Sequence, residues 1–147
     1  MSISSTCLLL TGFYSDFLGD EILNLDGQSY VIMMLLNRPI SSNQDKISFK
    51  FRTNNANGNL IYSHGTQGDL FSLRLEDNKV VLSIDLSGHG QINTISAGSL
   101  LDDSEWHSVL ITRNHRDLNL TVDSSTTRHE ISSDSSRLDL NGKVSHH

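Results

Sequence analysis

Residues able to do chemistry in this chain of 147 stand mostly alone, at the ends of apolar runs. Asp69 follows Gly68 where an alternating apolar stretch begins. A carboxylate beside loop carbonyls suits Ca²⁺, which takes hard oxygen ligands and tolerates irregular geometry. Gly-Asp ahead of a strand is equally ordinary turn chemistry. Asn119-Leu120-Thr121 is an acceptor sequence for N-glycosylation, and strand alternation turns Asn119 outward. Trp106-His107 reads as a core tryptophan opening a strand, followed by an outward histidine. His64, His89, His115 and His129 fall in separate turns or strands without metal-ligand spacing, so no zinc site is expected. Arg113, His115 and Arg116 form a basic loop patch expected to be solvated.

Enzyme chemistry finds little to work with. Glycoside hydrolysis needs two carboxylates flanking a cleft, and Asp85 and Asp123 stand singly on different strands. Ser87-Gly88-His89-Gly90 puts a serine beside a histidine but lacks the nucleophile-elbow pattern, and it reads as a glycine-rich hairpin.

The elements that must position these groups are strands. The chain has a single proline, Pro39, and ten glycines, with Asn, Asp and Ser clusters between short apolar runs. Ile47, Phe49 and Phe51 alternate with Ser48, Lys50 and Arg52, the pattern of a half-buried strand. The same alternation predicts strands at 60–63, 71–75, 80–86, 92–95, 106–112 and 118–122, with a weaker one at 128–131. Asp77-Asn78 is predicted to turn one hairpin of a meander. Strands with one apolar face each must close into a sandwich or barrel.

Composition narrows the function classes. Eleven Lys and Arg against 17 Asp and Glu leave a formal net charge of −6, which argues against a nucleic-acid partner because phosphate neutralisation needs clustered bases. The longest apolar run, 30–36, is too short for a membrane span. A single cysteine, Cys7, forms no internal disulfide. The N-terminus carries no positive region ahead of its apolar stretch, so no signal peptide is visible in the chain. Residues 1–24 follow no regular period and are expected to form a loosely ordered arm.

From residue 27 to 141 the chain resembles a laminin G-like (LNS) domain, the module of neurexins, laminins, agrin and contactin-associated proteins. The residues that carry the resemblance are Ile47-Ser-Phe-Lys-Phe-Arg-Thr53, Gly58-Asn-Leu-Ile-Tyr62, Gly68-Asp-Leu-Phe-Ser-Leu-Arg-Leu75, Leu82-Ser-Ile-Asp-Leu86, Leu101-Asp-Asp-Ser-Glu-Trp-His-Ser-Val-Leu-Ile-Thr-Arg-Asn114 and Leu118-Asn-Leu-Thr-Val-Asp123. The segment Ser41-Ser-Asn-Gln-Asp-Lys-Ile-Ser-Phe49 looks most like an alpha-neurexin LNS domain.

The resemblance implies an all-β, lectin-like (concanavalin-type) jelly-roll sandwich of two antiparallel sheets. Family members continue into further strands, so residues 25–147 are expected to be a laminin G-like domain lacking its final strands. It also implies a weak Ca²⁺ site with Asp69 as carboxylate ligand and Leu86 supplying a main-chain carbonyl. A further ligand comes from around Leu138, where this sequence departs from the family pattern. The expected function is a non-catalytic extracellular or cell-surface adhesion module that binds a protein or glycan partner through Ca²⁺-associated rim loops. The alternatives are a carbohydrate-active enzyme on the same sandwich, or a truncated product whose open sheet edges associate.

Overall fold

The computed structural model describes residues 6–11, 21–25, 40–65 and 67–140, with the side chains of 6–11, 21–25 and 40–41 left aside. The described strands are β1 (Thr6–Thr11), β2 (Glu21–Leu25), β3 (Ile40–Ser42), β4 (Gln44–Arg52), β5 (Gly58–His64) and β6 (Leu70–Glu76). They continue with β7 (Lys79–Asp85), β8 (Asn93–Ala97), β9 (His107–Asn114), β10 (Asp117–Val122), β11 (Ser125–Glu130) and β12 (Leu138–Leu140). One sheet runs β11-β10-β9-β4-β1-β2, a second runs β5-β6-β7-β8, and β12 pairs with β3. Every pairing among the described residues is antiparallel.

Of the region expected to be a loose arm, 6–11 and 21–24 lie in β1 and β2, and β1 is paired with β4 from Cys7↔Arg52 to Thr11↔Ser48. The rest of that region, and residues 141–147, lie outside the described residues.

Alternation explains which face is dry. Phe49 and Phe51 of β4, Val109 and Ile111 of β9, and Leu118, Leu120 and Val122 of β10 point inward from the larger sheet. Phe71, Leu73 and Leu75 of β6 and Val80, Leu82 and Ile84 of β7 point inward from the smaller one. All belong to one apolar cluster, so the two sheets share a single core. Asp77 and Asn78 turn the β6–β7 hairpin with φ of 49° and 54°, the left-handed pair that a two-residue hairpin needs.

On one side the edges of the two sheets are sewn together by side chains. The Thr127 hydroxyl of β11 donates to the Ser96 carbonyl of β8 at 2.8 Å. Asn93 Oδ1 accepts the Ser132 amide at 3.0 Å and meets His129 Nε2 at 2.9 Å, while Asn93 Nδ2 donates to the Ser132 carbonyl at 3.1 Å.

The Trp106-His107 pair is the reverse of the sequence expectation. Trp106 precedes β9 and is 37% exposed, with the Arg52 guanidinium stacked 5.1 Å from its ring centroid. His107 is the covered one. Its ring lies 5.8 Å from that of Phe51, and its two nitrogens meet Asp123 Oδ2 at 2.8 Å and Asp103 Oδ1 at 2.7 Å. A stacked guanidinium and two carboxylates decide these orientations, and none of those partners is adjacent in sequence.

Burial alone would lower the His107 pKa, but the hydrogen bonds and charges of Asp123 and Asp103 outweigh it and hold it above 6.5. A raised histidine pKa contributes stability that is full below the unfolded value and is lost as pH rises through the folded one. His107→Gln is therefore expected to destabilise the protein more at pH 6 than at pH 9. Denaturant midpoints across that range check it, and a pH-independent difference would count against the carboxylate clasp. For the core, Leu82→Ala removes a side chain that is 0% exposed. It is expected to lower unfolding free energy by about 2–5 kcal/mol with little change in denaturant slope.

Candidate functional site

Asp69 sits immediately before β6 and is 5% exposed. Its position is fixed by neighbouring loops. The Gly65 amide donates to the Asp69 carbonyl at 2.8 Å, and the Gly68 amide donates to the Gly65 carbonyl at 3.2 Å. Gly68 has φ of 99°, and a Cβ there would lie 2.6 Å from the Gly88 carbonyl oxygen; a Cβ on Gly88, φ 72°, would lie 2.4 Å from the Gln67 carbonyl oxygen. These two loops therefore touch backbone to backbone, and only glycine fits at the crossing.

The partner loop, 86–92, is organised by Asp85 at the end of β7. Asp85 Oδ1 accepts the Ser87 amide at 2.8 Å, the Ser87 hydroxyl at 2.7 Å and the Gly88 amide at 3.2 Å, and Oδ2 accepts the Gly90 amide at 2.9 Å. Burial pushes the Asp85 carboxyl up, but these bonds together outweigh it and hold the pKa below 3.8. The Ser87–Gly90 stretch is thus a hairpin loop wrapped on a buried carboxylate. Asp123 is likewise occupied: besides His107, it accepts the Ser108 amide at 3.0 Å. The acids an enzyme reading would need are both engaged in holding loops.

The third wall comes from β12. The Asp139 amide donates to Asp69 Oδ2 at 2.8 Å, joining residues 70 apart in sequence. β12 is steered there by Arg113, which is 3% exposed and not the solvated patch residue that its sequence setting suggested. Its Nε donates to Asp45 Oδ2 at 2.8 Å, Nη1 donates to the carbonyls of His115 at 2.7 Å and Ser136 at 2.8 Å, and Nη2 donates to the Ser42 carbonyl at 2.8 Å. One planar cation thereby fastens the β3–β4 corner, the β9 end and the segment entering β12. Asp45 lies two residues before Ile47, the first inward residue of β4, and nothing in its local sequence marks it as the partner of Arg113.

The structure brings Asp69 together with Asp85 and Asp139, both near enough for their charges to raise its pKa. Burial is the largest cause of that rise; the Asp139 amide and the Arg113 charge oppose it and do not prevail. Leu86 and Leu138 flank this place, with side chains 2% and 3% exposed in the core, so only their main-chain carbonyls remain to offer. Among the described residues no three His, Cys, Asp or Glu side chains gather into a metal cluster. Asn119 lies elsewhere, in the middle of β10 and half-buried, on the face opposite the inward Leu118 and Leu120.

The family model described as Laminin G domain matches residues 51–145. Neurexin-4 of Drosophila melanogaster is 46% identical over 124 residues, an alignment that covers 84% of this chain and 10% of that protein; the chain spans about a tenth of its relative's length. Among solved structures, the LG1-3 region of the laminin alpha2 chain superposes with a TM-score of 0.70 at 21% identity, over 95% of this chain and 25% of that one. Domains LG4-5 of the mouse laminin alpha1 chain superpose with a TM-score of 0.62 at 22% identity, over 97% and 31% of the two chains. At such identities these structures speak to the fold, and it is the expected jelly-roll sandwich. Neurexin and laminin G domains are non-enzymatic adhesion modules, in keeping with a site whose other acids hold loops. With two sheets around one core, the six sequence segments in order and the profile match over most of its length, this chain belongs to the laminin G domain family.

Proposed function

We propose that this chain is a non-catalytic extracellular recognition module in which Ca²⁺ at Asp69 orders the rim loops that bind a cell-surface protein or glycan. Family membership supports the coarse reading, an adhesion-type module of the cell exterior. The observation that carries the finer one is the Asp69 carboxylate. It is buried, repelled by Asp139 and Asp85, and has one oxygen committed to an amide while the other faces Gly88. A divalent cation supplies the positive charge such a carboxylate lacks, and Ca²⁺ accepts the mixed carboxylate and carbonyl set that Asp69, Leu86 and Leu138 offer. With one charged ligand, affinity falls in the range of extracellular modules, about 10⁻⁴ to 10⁻³ M. The sandwich supplies a rigid base, and the loops supply specificity.

Ca²⁺ at about ten millimolar is expected to stabilise the protein by about 1–3 kcal/mol, by mass action at that affinity. Mg²⁺, which demands tight octahedral geometry, should not substitute. Asp69→Asn separates charge from shape, because the amide oxygen still accepts from Asp139. A raised carboxyl pKa means that the ionised form opposes folding above that pH. In chelator, Asp69→Asn should therefore melt at or above the parent, and with Ca²⁺ it should show no further rise. Calorimetry that gives the same Ca²⁺ titration for both proteins would sink the site. The Ca²⁺ effect should also weaken as pH falls through the raised Asp69 pKa, where protons compete for the carboxylate.

Asn119 is proposed as the glycan acceptor of the module. Expression through a eukaryotic secretory pathway is expected to give a product whose mass drops on peptide-N-glycosidase treatment, and Asn119→Gln should already have the lower mass. An untreated product at the bare polypeptide mass would exclude the modification.

A further inference from the structure

Left-handed backbone is adopted by Asp77, Asn78, Ser104, His115 and Asp123, with φ between 49° and 62°, and by Leu100 with φ of 52°. The first five are polar types that tolerate this region because a short side chain can bond locally. Leu100 is the apolar exception among the described residues, and it is 70% exposed. Its neighbour Leu101, 1% exposed, does the core packing for this loop. The fold thus holds a leucine in an unfavourable conformation with its side chain in water and outside the apolar core. Strain of this kind points to a use outside it.

Leu100 stands at the opposite end of β6 from Asp69, on a rim whose loops are knitted together. The Leu100 amide donates to Asn78 Oδ1 and the Leu101 amide to the Asn78 carbonyl, both at 3.1 Å. The Asn78 amide donates to the Ala56 carbonyl at 2.9 Å, the Asp77 amide to Asn57 Oδ1 at 3.0 Å, and the Ser104 amide to the Thr53 carbonyl at 2.9 Å. Rigid loops carry little ordering cost on binding. Trp106, 37% exposed under the stacked Arg52, belongs to the same loop as Leu100. Tryptophan is among the residue types that most often anchor protein interfaces.

Acids outnumber bases around these apolar groups, even with Arg52 on Trp106 and Lys79 exposed at the start of β7. Asp77 and Glu105 are exposed and Asp102 is half-buried, and none forms an ion pair among the described residues. Asp103 and Asp123 are committed to His107. We infer that this second rim docks an extended segment of another protein that pairs apolar side chains with Lys or Arg. The apolar groups of the segment cover Leu100 and Trp106, and its bases face Asp77, Asp102 and Glu105.

The test titrates the full chain with a synthetic peptide alternating Leu and Phe with Lys and Arg, read by fluorescence of Trp106, the sole tryptophan, and by backbone amide shifts. Saturable binding is expected, weakening with salt, with shifts confined to 53–57, 77–78 and 98–106. Leu100→Asn should keep or raise the melting midpoint, since Asn tolerates the left-handed region, while it weakens the peptide roughly tenfold or more. Loss of an anchor without loss of fold is the signature of an interface residue. Asp69→Asn should bind the peptide as the parent does, which keeps this rim separate from the Ca²⁺ reading. The inference is overturned by no binding, by equal binding of a peptide with Glu and Asp in place of the bases, or by unchanged affinity in Leu100→Asn. Shifts at 86–92 instead, or the same rim shifts appearing with protein concentration alone, would overturn it in favour of the other rim or of self-association.

Discussion

The dry faces of the two large sheets can be removed from water only against each other, and this contact underlies everything else in the molecule. Phe49, Phe51, Val109, Ile111, Leu118 and Leu120 from one sheet meet Phe71, Leu73, Leu82 and Ile84 from the other in one cluster. Burial of this area is the main favourable term in folding, and it fixes the register of every strand, because a slip by one residue would turn an apolar face outward. With both faces of the sandwich assigned, the connecting loops are forced to the two rims, where the chemistry is found.

Several of the polar groups that the sandwich covers hold those rims. Arg113 fastens three backbone segments at once, Asp85 collects the amides of its own loop, and His107 is clasped between two carboxylates. In each case hydrogen bonds or opposite charges offset the cost of leaving water. Asp69 is different. Its burial and its acidic neighbours outweigh the Asp139 amide and the Arg113 charge that support its ionised form, which is why its pKa moves the opposite way from that of Asp85. The two aspartates, 16 positions apart and similarly buried, are told apart by what reaches their oxygens.

Much of the architecture was legible in the residues. Strands at 71–75 and 118–122 fall within β6 and β10, and the Asp77-Asn78 turn has the backbone its residue types favour. The failures share a cause. Trp106 reads as core by type, yet one residue ahead of β9 it meets Arg52 at the surface, and His107 takes the inner place. Arg113 reads as a solvated loop base, yet it is buried because its partners Asp45, Ser42 and Ser136 arrive from other segments. Of the candidate site, Asp69 is legible in its Gly-Asp setting, Leu86 and Leu138 in the resemblance, and Ser87–Gly90 as a hairpin, while Asp139 and the wrapping of that hairpin on Asp85 carried no local signal.

By itself the sequence determined what short-range sterics and period-two burial can determine: strands, turns, an all-β sandwich or barrel, and the absence of paired acids along one strand. Those depend on neighbours one or two residues away, so they are written locally. Only the tertiary structure decided which groups meet. Asp69 accepts from an amide 70 residues on, and Arg113 reaches an aspartate 68 residues back. Such encounters depend on sheet order and loop closure rather than on spacing along the chain. The sign of the Asp69 pKa shift follows from them, because a carboxylate's charge is favoured or opposed by whatever the fold brings within a few ångströms of it.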